Sequence, residues 1–130
     1  MNLYVADTHA LFWYLTASPA LSAAAKAAFR AGEAGQATIY VPAIVLAEFY
    51  YLNKKLAQPV NFPATYRHLE LAAQFVLLPL LAAEVLDLDR DVAVTEMHDR
   101  MVVGVARRTG ATLITADRQI TASAAVPIIW

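Results

Sequence analysis

The chain has 130 residues, with 10 basic and 11 acidic side chains for a net charge of −1, and it contains no cysteine. The length predicts a single domain over residues 1–130, the near-neutral charge provides no global attraction for nucleic acid, and the missing cysteines exclude disulfides and thiolate chemistry. Hydrophobic residues make up 59% of the chain, against roughly 45–50% in ordinary soluble domains. We expect apolar surface that a partner covers, either a second copy or another protein; a high alanine content is the alternative explanation.

Two uncharged apolar stretches, at residues 8–25 and 71–83, could be mistaken for a signal peptide or a membrane span. The first follows Asp7, has no preceding Lys or Arg, and is interrupted by Pro19. The second contains Pro79 and is shorter than the roughly 20 residues that a membrane span needs. We therefore expect a cytoplasmic protein without membrane association.

Periodicity and helix-cap signals predict strands that alternate with helices. Asp7 or Thr8 caps a short first helix, Ser22 caps the second, and Pro42 suits the first turn of the third. The predicted strands are 2–6, 38–41, 75–78, 112–115 and, as a strand or tail, 127–130; the later helices are 23–31, 42–56, 64–74, 82–88 and 97–109, with a loop at 58–63 and a polar connector at 87–91. This alternation predicts an α/β fold, a three-layer α/β/α sandwich around a central, mostly parallel sheet.

Two of the predicted strands end on an aspartate, Asp7 near the start of the chain and Asp117 near its end. The functional crevice of a parallel α/β sheet lies outside the carboxyl ends of its strands, so the two carboxylates could share one site. Each of them is also a preferred helix N-cap, and a cap role explains either one taken alone.

Glu48 lies in a predicted helix where its neighbours three and four residues away are apolar or aromatic: Ile44, Val45, Tyr51 and Leu52. An unpaired buried carboxylate costs several kcal/mol or becomes neutral. Glu48 is therefore paired with a distant Arg, bound to a metal, or placed on a partly exposed edge.

Asp99 falls in the first turn of the predicted helix 97–109, where the helix dipole favours an acid, and Glu96 is a neighbouring candidate. Gathering Asp7, Glu48, Asp99 and Asp117 without a cation is costly, because two unit charges ~4 Å apart repel by roughly 4 kcal/mol at an effective dielectric near 20. Oxygen ligands of this kind suit Mg²⁺ or Mn²⁺, whereas the three scattered histidines and missing cysteines disfavour zinc.

Four motifs occur in order along the chain: DTHALFW at 7–13, Glu48 in its apolar helix, HDRM at 98–101 and TADR at 115–118. Together they resemble the PIN-domain ribonucleases, and within that family the VapC-type toxins of bacterial toxin–antitoxin pairs. The resemblance implies a metal-dependent endoribonuclease, the toxin of a type II pair, that hydrolyses RNA phosphodiesters through a metal-activated water and has a cognate antitoxin.

The resemblance also implies roles for individual residues. Acids matching Asp7, Glu48, Asp99 and Asp117 would hold one or two Mg²⁺ or Mn²⁺, and the hydroxyls of Thr115 and Thr8 would support the site. His9 is a departure, because many relatives carry a small hydroxyl residue at that position. A homodimer would account for the apolar excess.

Other residues have two interpretations each. Arg100 and Arg118 could contact the RNA backbone, as could Arg107 and Arg108, although a solvated helix end explains the last two equally well. The aromatic residues could stack on bases or form core and partner interface: Phe12, Trp13, Phe49, Tyr50 and Tyr51.

Two other functions are compatible with the sequence. A catalytically silent RNA- or protein-binding module would keep the fold, but the presence of all four acids argues against it. Phosphoryl transfer through an aspartyl nucleophile at Asp7 would need a second acid two residues later, where His9 stands.

Overall fold

The computed structural model describes residues 1–130 and contains five strands, six α-helices and one 3-10 segment. The strands are β1 (Asn2–Ala6), β2 (Ala37–Pro42), β3 (Phe75–Leu78), β4 (Thr112–Ile114) and β5 (Ile128–Ile129). The helices are α1 (Thr8–Leu15), α2 (Ala23–Glu33), α3 (Ala43–Lys55), α4 (Phe62–Leu71), α5 (Met97–Thr109) and α6 (Arg118–Ser123), and the 3-10 segment is Ala82–Asp91.

All strand pairs are parallel, and the strand order is β3-β2-β1-β4-β5. Val5 in the central strand β1 is in register with Tyr40 of β2 and with Leu113 of β4. Helices flank the sheet, which confirms the predicted three-layer α/β/α sandwich. The order makes β1 and β4 neighbours, so the residues that follow them meet at one edge of the sheet.

The core is built from aliphatic and aromatic side chains of the sheet and its helices. Val5, Ile39 and Leu113 in the strands are fully buried, and they pack with Val103 of α5 in one cluster. Phe12 and Phe49 are also buried, with ring centroids 5.0 Å apart, so they belong to the core. None of the six α-helices has the length and hydropathy of a membrane-spanning segment.

The bounds predicted for β1, β3 and α5 are confirmed. The buried residues of α5 form one continuous run from Val102 to Ala106, so the middle of this helix is enclosed by the rest of the protein. Gly110 then ends the helix with a φ of 67°, a left-handed conformation that glycine adopts without a steric penalty.

Two predicted segments differ from the structure in bounds or type, and the ends of β2, α2, α3, β4 and β5 differ by one or two residues. Helix α4 covers Phe62–Leu71 instead of 64–74, because the Asn61 side chain caps it by accepting a hydrogen bond from the Ala64 amide. The segment predicted as a helix at 82–88 and a connector at 87–91 is one continuous 3-10 helix, Ala82–Asp91.

The 3-10 segment is explained by ion pairs with α5. Side chains three residues apart line up in a 3-10 helix, and Glu84 and Asp87 both pair with Arg108 at 3.1 Å. At the end of the segment the buried Asp91 carboxylate pairs with both terminal nitrogens of Arg107. Arg107 and Arg108 are thus both paired with carboxylates, and Arg108 stays exposed at the helix end.

Candidate active site

A cleft of about 540 Å³ opens at the carboxyl edge of the sheet. Its lining residues are Asp7, Thr8, His9, Ala10, Trp13, Glu48, Leu52, Glu96, His98, Asp99, Thr115, Ala116 and Asp117. All four acids singled out from the sequence lie here, together with Glu96 and both predicted hydroxyl residues. No lysine or arginine is among the lining residues.

Asp7 follows β1 and is the N-cap of α1. Its Oδ1 accepts a hydrogen bond from the Thr8 amide at 2.8 Å, and its Oδ2 accepts one from the Thr115 hydroxyl at 2.6 Å. Burial raises the pKa of the Asp7 carboxyl, these two hydrogen bonds oppose the rise, and the charge of Asp117 adds to it. The two hydrogen bonds therefore hold the Asp7 carboxylate in one orientation, and Asp117 repels it.

Glu48 projects from α3 towards Asp7. The Thr8 hydroxyl donates a hydrogen bond to Oε1 of Glu48 at 2.9 Å, so Thr8 ties α1 to α3. Glu48 forms no salt bridge, so it is not paired with a distant arginine, which was one of the possibilities that the sequence left open. Burial raises its pKa; the Thr8 hydrogen bond lowers it, and the charge of Asp7 raises it further.

Asp117 is the N-cap of α6, where its Oδ1 accepts a hydrogen bond from the Ile120 amide at 2.8 Å. Its own amide donates to the Thr115 hydroxyl at 3.0 Å. Because that hydroxyl also donates to Asp7, Thr115 links the two strand-end aspartates.

Asp99 lies in the first turn of α5, and its side chain accepts no hydrogen bond in the structure. Burial raises the pKa of its carboxyl to about 7, with further contributions from the charges of Asp7, Asp117, Glu96 and Glu48, in that order. The carboxylate repulsion expected from the sequence therefore reaches Asp99 from four neighbouring acids.

The sequence interpretation gave Glu96 too little weight. Glu96 is the N-cap of α5: its Oε2 accepts a hydrogen bond from the Asp99 amide at 2.9 Å, and its Oε1 lies 2.6 Å from Nδ1 of His98. Burial alone would raise the pKa of Glu96, but hydrogen bonds from the Asp99 and His98 amides and from the His98 ring lower it overall. The predicted start of this helix at Met97 already placed Glu96 at the cap, and that was the available signal.

Glu48, Glu96 and His98 form a group in which one potential ligand atom of each lies within 4.8 Å of the others. His9 stands on another part of the cleft wall, where its ring packs against Trp13 with centroids 5.4 Å apart. Both histidines thus border the carboxylates, and Trp13 presents an aromatic surface beside them.

The two arginines proposed as RNA contacts lie outside the cleft lining. The Arg100 guanidinium donates hydrogen bonds to the backbone carbonyls of Val94 and Leu88. Arg118 is exposed at the start of α6, next to Asp117, and forms no ion pair. The geometry favours Arg118 over Arg100 as a contact for an anionic ligand.

The donor set suits a divalent metal. Five carboxylates and no basic side chain but histidine line one cleft, and burial and mutual repulsion raise the pKa values of Asp7, Glu48 and Asp99. Hard oxygen donors of this kind match Mg²⁺ or Mn²⁺, and a bound cation would offset the repulsion.

The fold and the cleft define a parallel α/β/α protein with a carboxylate-rich site at the carboxyl edge of its sheet. The chain belongs to the PIN domain family, which it matches over residues 4–125. It has no significant match among curated protein sequences.

Several solved structures share the fold. The Mycobacterium tuberculosis toxin VapC20, described as cleaving the sarcin–ricin loop, superposes with a TM-score of 0.69 at 16% identity, over 93% of this chain and 95% of that one. Rickettsia felis VapBC2, bound to a DNA fragment from its promoter, superposes with a TM-score of 0.65 at 13% identity, over 97% of this chain and 96% of that one. PAE2754 from Pyrobaculum aerophilum superposes with a TM-score of 0.63 at 23% identity, over 98% of this chain and 83% of that one.

Proposed function

We propose that this chain is a metal-dependent endoribonuclease and the toxin of a type II toxin–antitoxin pair, acting as one nuclease domain over residues 1–130. The observation that carries the proposal is the cleft in which Asp7, Glu48, Asp99 and Asp117 converge without a lysine or arginine. Membership of the PIN domain family and the likeness to VapC20 support it.

Asp7, Glu48 and Asp99 would hold Mg²⁺ or Mn²⁺, with Asp117 as a further ligand or as the group that positions water. A bound divalent ion would lower the pKa of a water molecule and offset charge on the phosphoryl oxygens. Thr115 and Thr8 keep Asp7 and Glu48 oriented through the hydrogen bonds described above.

The RNA strand would enter along the wall formed by His9 and Trp13, and Arg118 would contact its backbone at the rim. A phosphate contact of this type positions the strand and carries no sequence information. Cleavage is expected to leave a 5′-phosphate and a 3′-hydroxyl, since water attacks in line and the 3′ oxygen departs. Its expected place of action, with cellular RNA as substrate, is the cytoplasm.

A homodimer and a cognate antitoxin are the expected partners. Large apolar side chains remain exposed along the 3-10 segment and the residues before it, namely Leu80, Leu81, Val85 and Leu86. Solved relatives include the VapBC2 and FitAB assemblies, each bound to DNA. A short reading frame directly upstream, whose product neutralises this chain, would support the antitoxin assignment.

The test compares RNA cleavage by the wild type, Asp7→Asn and Asp99→Asn in Mg²⁺, in Mn²⁺ and in EDTA. Asp89→Asn is the matched control, because Asp89 is exposed and forms no hydrogen bond or ion pair. The wild type and the control should cleave only with metal, and both cleft variants should lose at least about 100-fold in rate. Equal cleavage by all four proteins would refute catalysis by the cleft carboxylates. No cleavage by the wild type would leave the non-catalytic binding module as the better explanation.

A further inference from the structure

A second cleft of about 530 Å³ lies beside the acidic one, between α1 and α2. It is lined by Trp13 and Tyr14, by residues of the turn at 17–21, and by Lys26, Arg30 and Glu33 of α2. Trp13 is the one residue that lines both clefts. The two clefts therefore meet at a single aromatic side chain.

Trp13 is half-buried and belongs to a row of three rings. His9 lies on its acidic side, with centroids 5.4 Å apart, and Trp130 at the end of the chain lies 5.8 Å away. Aromatic rings that stay partly exposed beside a backbone-binding groove are the usual platform for unstacked bases of single-stranded nucleic acid. His9 and Trp13 line the acidic cleft and Trp13 also lines the second one, so a strand that extended from one cleft into the other would pass Trp13.

The charges of the two clefts are opposite. Lys26 and Arg30 are four residues apart on one face of α2, both are exposed, and neither forms an ion pair. The one carboxylate of this cleft, Glu33, accepts a hydrogen bond from the Tyr14 hydroxyl. In contrast, Arg107 and Arg108 are neutralised by the 3-10 segment. Lys26 and Arg30 are thus cations free to bind an anion next to the acidic site.

We propose that the cleft between α1 and α2 is a subsite for the RNA strand next to the scissile bond, with Lys26 and Arg30 on backbone phosphates and Trp13 against a base. The proposal depends on the proposed ribonuclease function. It assigns separate tasks to the two clefts: the carboxylates act on the phosphodiester, and the basic cleft holds the neighbouring nucleotide. The subsite would contribute to substrate binding and leave the chemical step unchanged.

The test uses the double variant Lys26→Ala/Arg30→Ala, which places alanine at two exposed helical positions and keeps α2 stable. The matched control is Lys54→Ala/Lys55→Ala, which removes the same charge from two exposed residues at the end of α3. With a single-stranded RNA of about ten nucleotides, the first variant should raise KM about tenfold at unchanged kcat. The control should change KM less than twofold.

Two binding measurements add readouts that do not depend on turnover. In EDTA, the logarithm of the RNA binding constant should fall with the logarithm of the salt concentration. For the subsite variant this slope should be smaller by about 1.4, because two phosphate contacts to a single strand are lost. RNA should also quench tryptophan fluorescence in the wild type, since Trp13 and Trp130 are the only two tryptophans of the chain.

The outcomes separate the two proposals. If the wild type cleaves RNA with metal but both double variants behave alike, the subsite is refuted while the ribonuclease function stands. If the subsite variant instead loses affinity only for a protein partner, the cleft is a protein interface and the RNA proposal is wrong. If the wild type neither binds nor cleaves RNA, the failure lies with the proposed function itself.

Discussion

Replacing Asp99 with asparagine should stabilise the metal-free protein at pH 8 and have little effect near pH 4. Burial and the neighbouring acids raise the pKa of this carboxyl from 3.8 to about 7. Between about pH 4 and pH 7, Asp99 therefore stays protonated in the folded protein but is ionised in the unfolded chain. The free energy of unfolding then falls as the pH rises from about 4 to about 7, and the full loss is present above that range.

The size of the effect follows from the shift. A change of about 3 pKa units corresponds to at most about 4 kcal/mol at 1.36 kcal/mol per unit. Asp99 is only half-buried, so solvent screening reduces this to about 1–2 kcal/mol. With an unfolding entropy of about 2.1 cal/mol/K per residue, that gain raises the melting temperature of a chain of this length by about 4–7 °C.

The assay is thermal unfolding in EDTA, followed by circular dichroism at pH 4 and at pH 8, for the wild type, Asp99→Asn and the exposed control Asp89→Asn. Asp99→Asn should raise the melting temperature at pH 8 alone, and the control should show no pH-dependent change. A lower melting temperature for Asp99→Asn at pH 8, or an equal gain at both pH values, would refute the account of charge repulsion in the cleft.

Four other results are expected. Mn²⁺ should raise the melting temperature of the wild type at pH 8 more than that of the asparagine variant, and no shift in either would count against a metal site. Thr115→Val should lower the cleavage rate about 10–100-fold and shift the pH dependence of that rate to higher pH. The reason is that the Asp7 carboxylate loses a hydrogen bond that lowers its pKa. Thr115→Ser keeps the hydroxyl and should retain both the rate and its pH dependence. Arg107→Ala should cost about 3 kcal/mol in urea unfolding, because Asp91 is 4% exposed and would be left unpaired. Asn53→Ala should cost about 2 kcal/mol in the same assay, since this buried amide holds the loop before α4 by two hydrogen bonds, and an unchanged midpoint would contradict that role.

The local part of the architecture could be predicted from the sequence. Asp7, Asp117 and Asp99 were found because they stand next to strand or helix boundaries that short-range patterns predict. Glu48 was found because a carboxylate among apolar neighbours is costly unless something binds it. Parallel strands then bring the segments after β1 and β4 to the same edge, so the convergence of these acids follows from topology.

The remaining features depend on contacts between residues far apart in the chain. The 3-10 form of Ala82–Asp91 is set by pairing with Arg107 and Arg108, which lie 16 and 21 residues beyond their partners Asp91 and Asp87. The interaction of Arg100 with backbone carbonyls likewise depends on how the chain folds back before α5. The spacing of residues along the sequence does not reveal such contacts. The sequence therefore suggested a role in RNA binding for Arg100, Arg107 and Arg108, whose side chains instead hold parts of the fold together.

Helix capping and ion binding are compatible roles for the carboxylates of the cleft. A carboxylate has about four acceptor positions, and Asp7 uses one on each oxygen for protein hydrogen bonds, while Asp117 uses one oxygen for its cap. The caps fix these groups, so they cannot rotate apart to relieve their repulsion. Asp99 has no such hydrogen bond, and the charges of all four other acids of the cleft raise its pKa. The fold therefore builds the repulsion into the metal-free state, and the stability of that state at pH 8 should rise when the charge of Asp99 is removed.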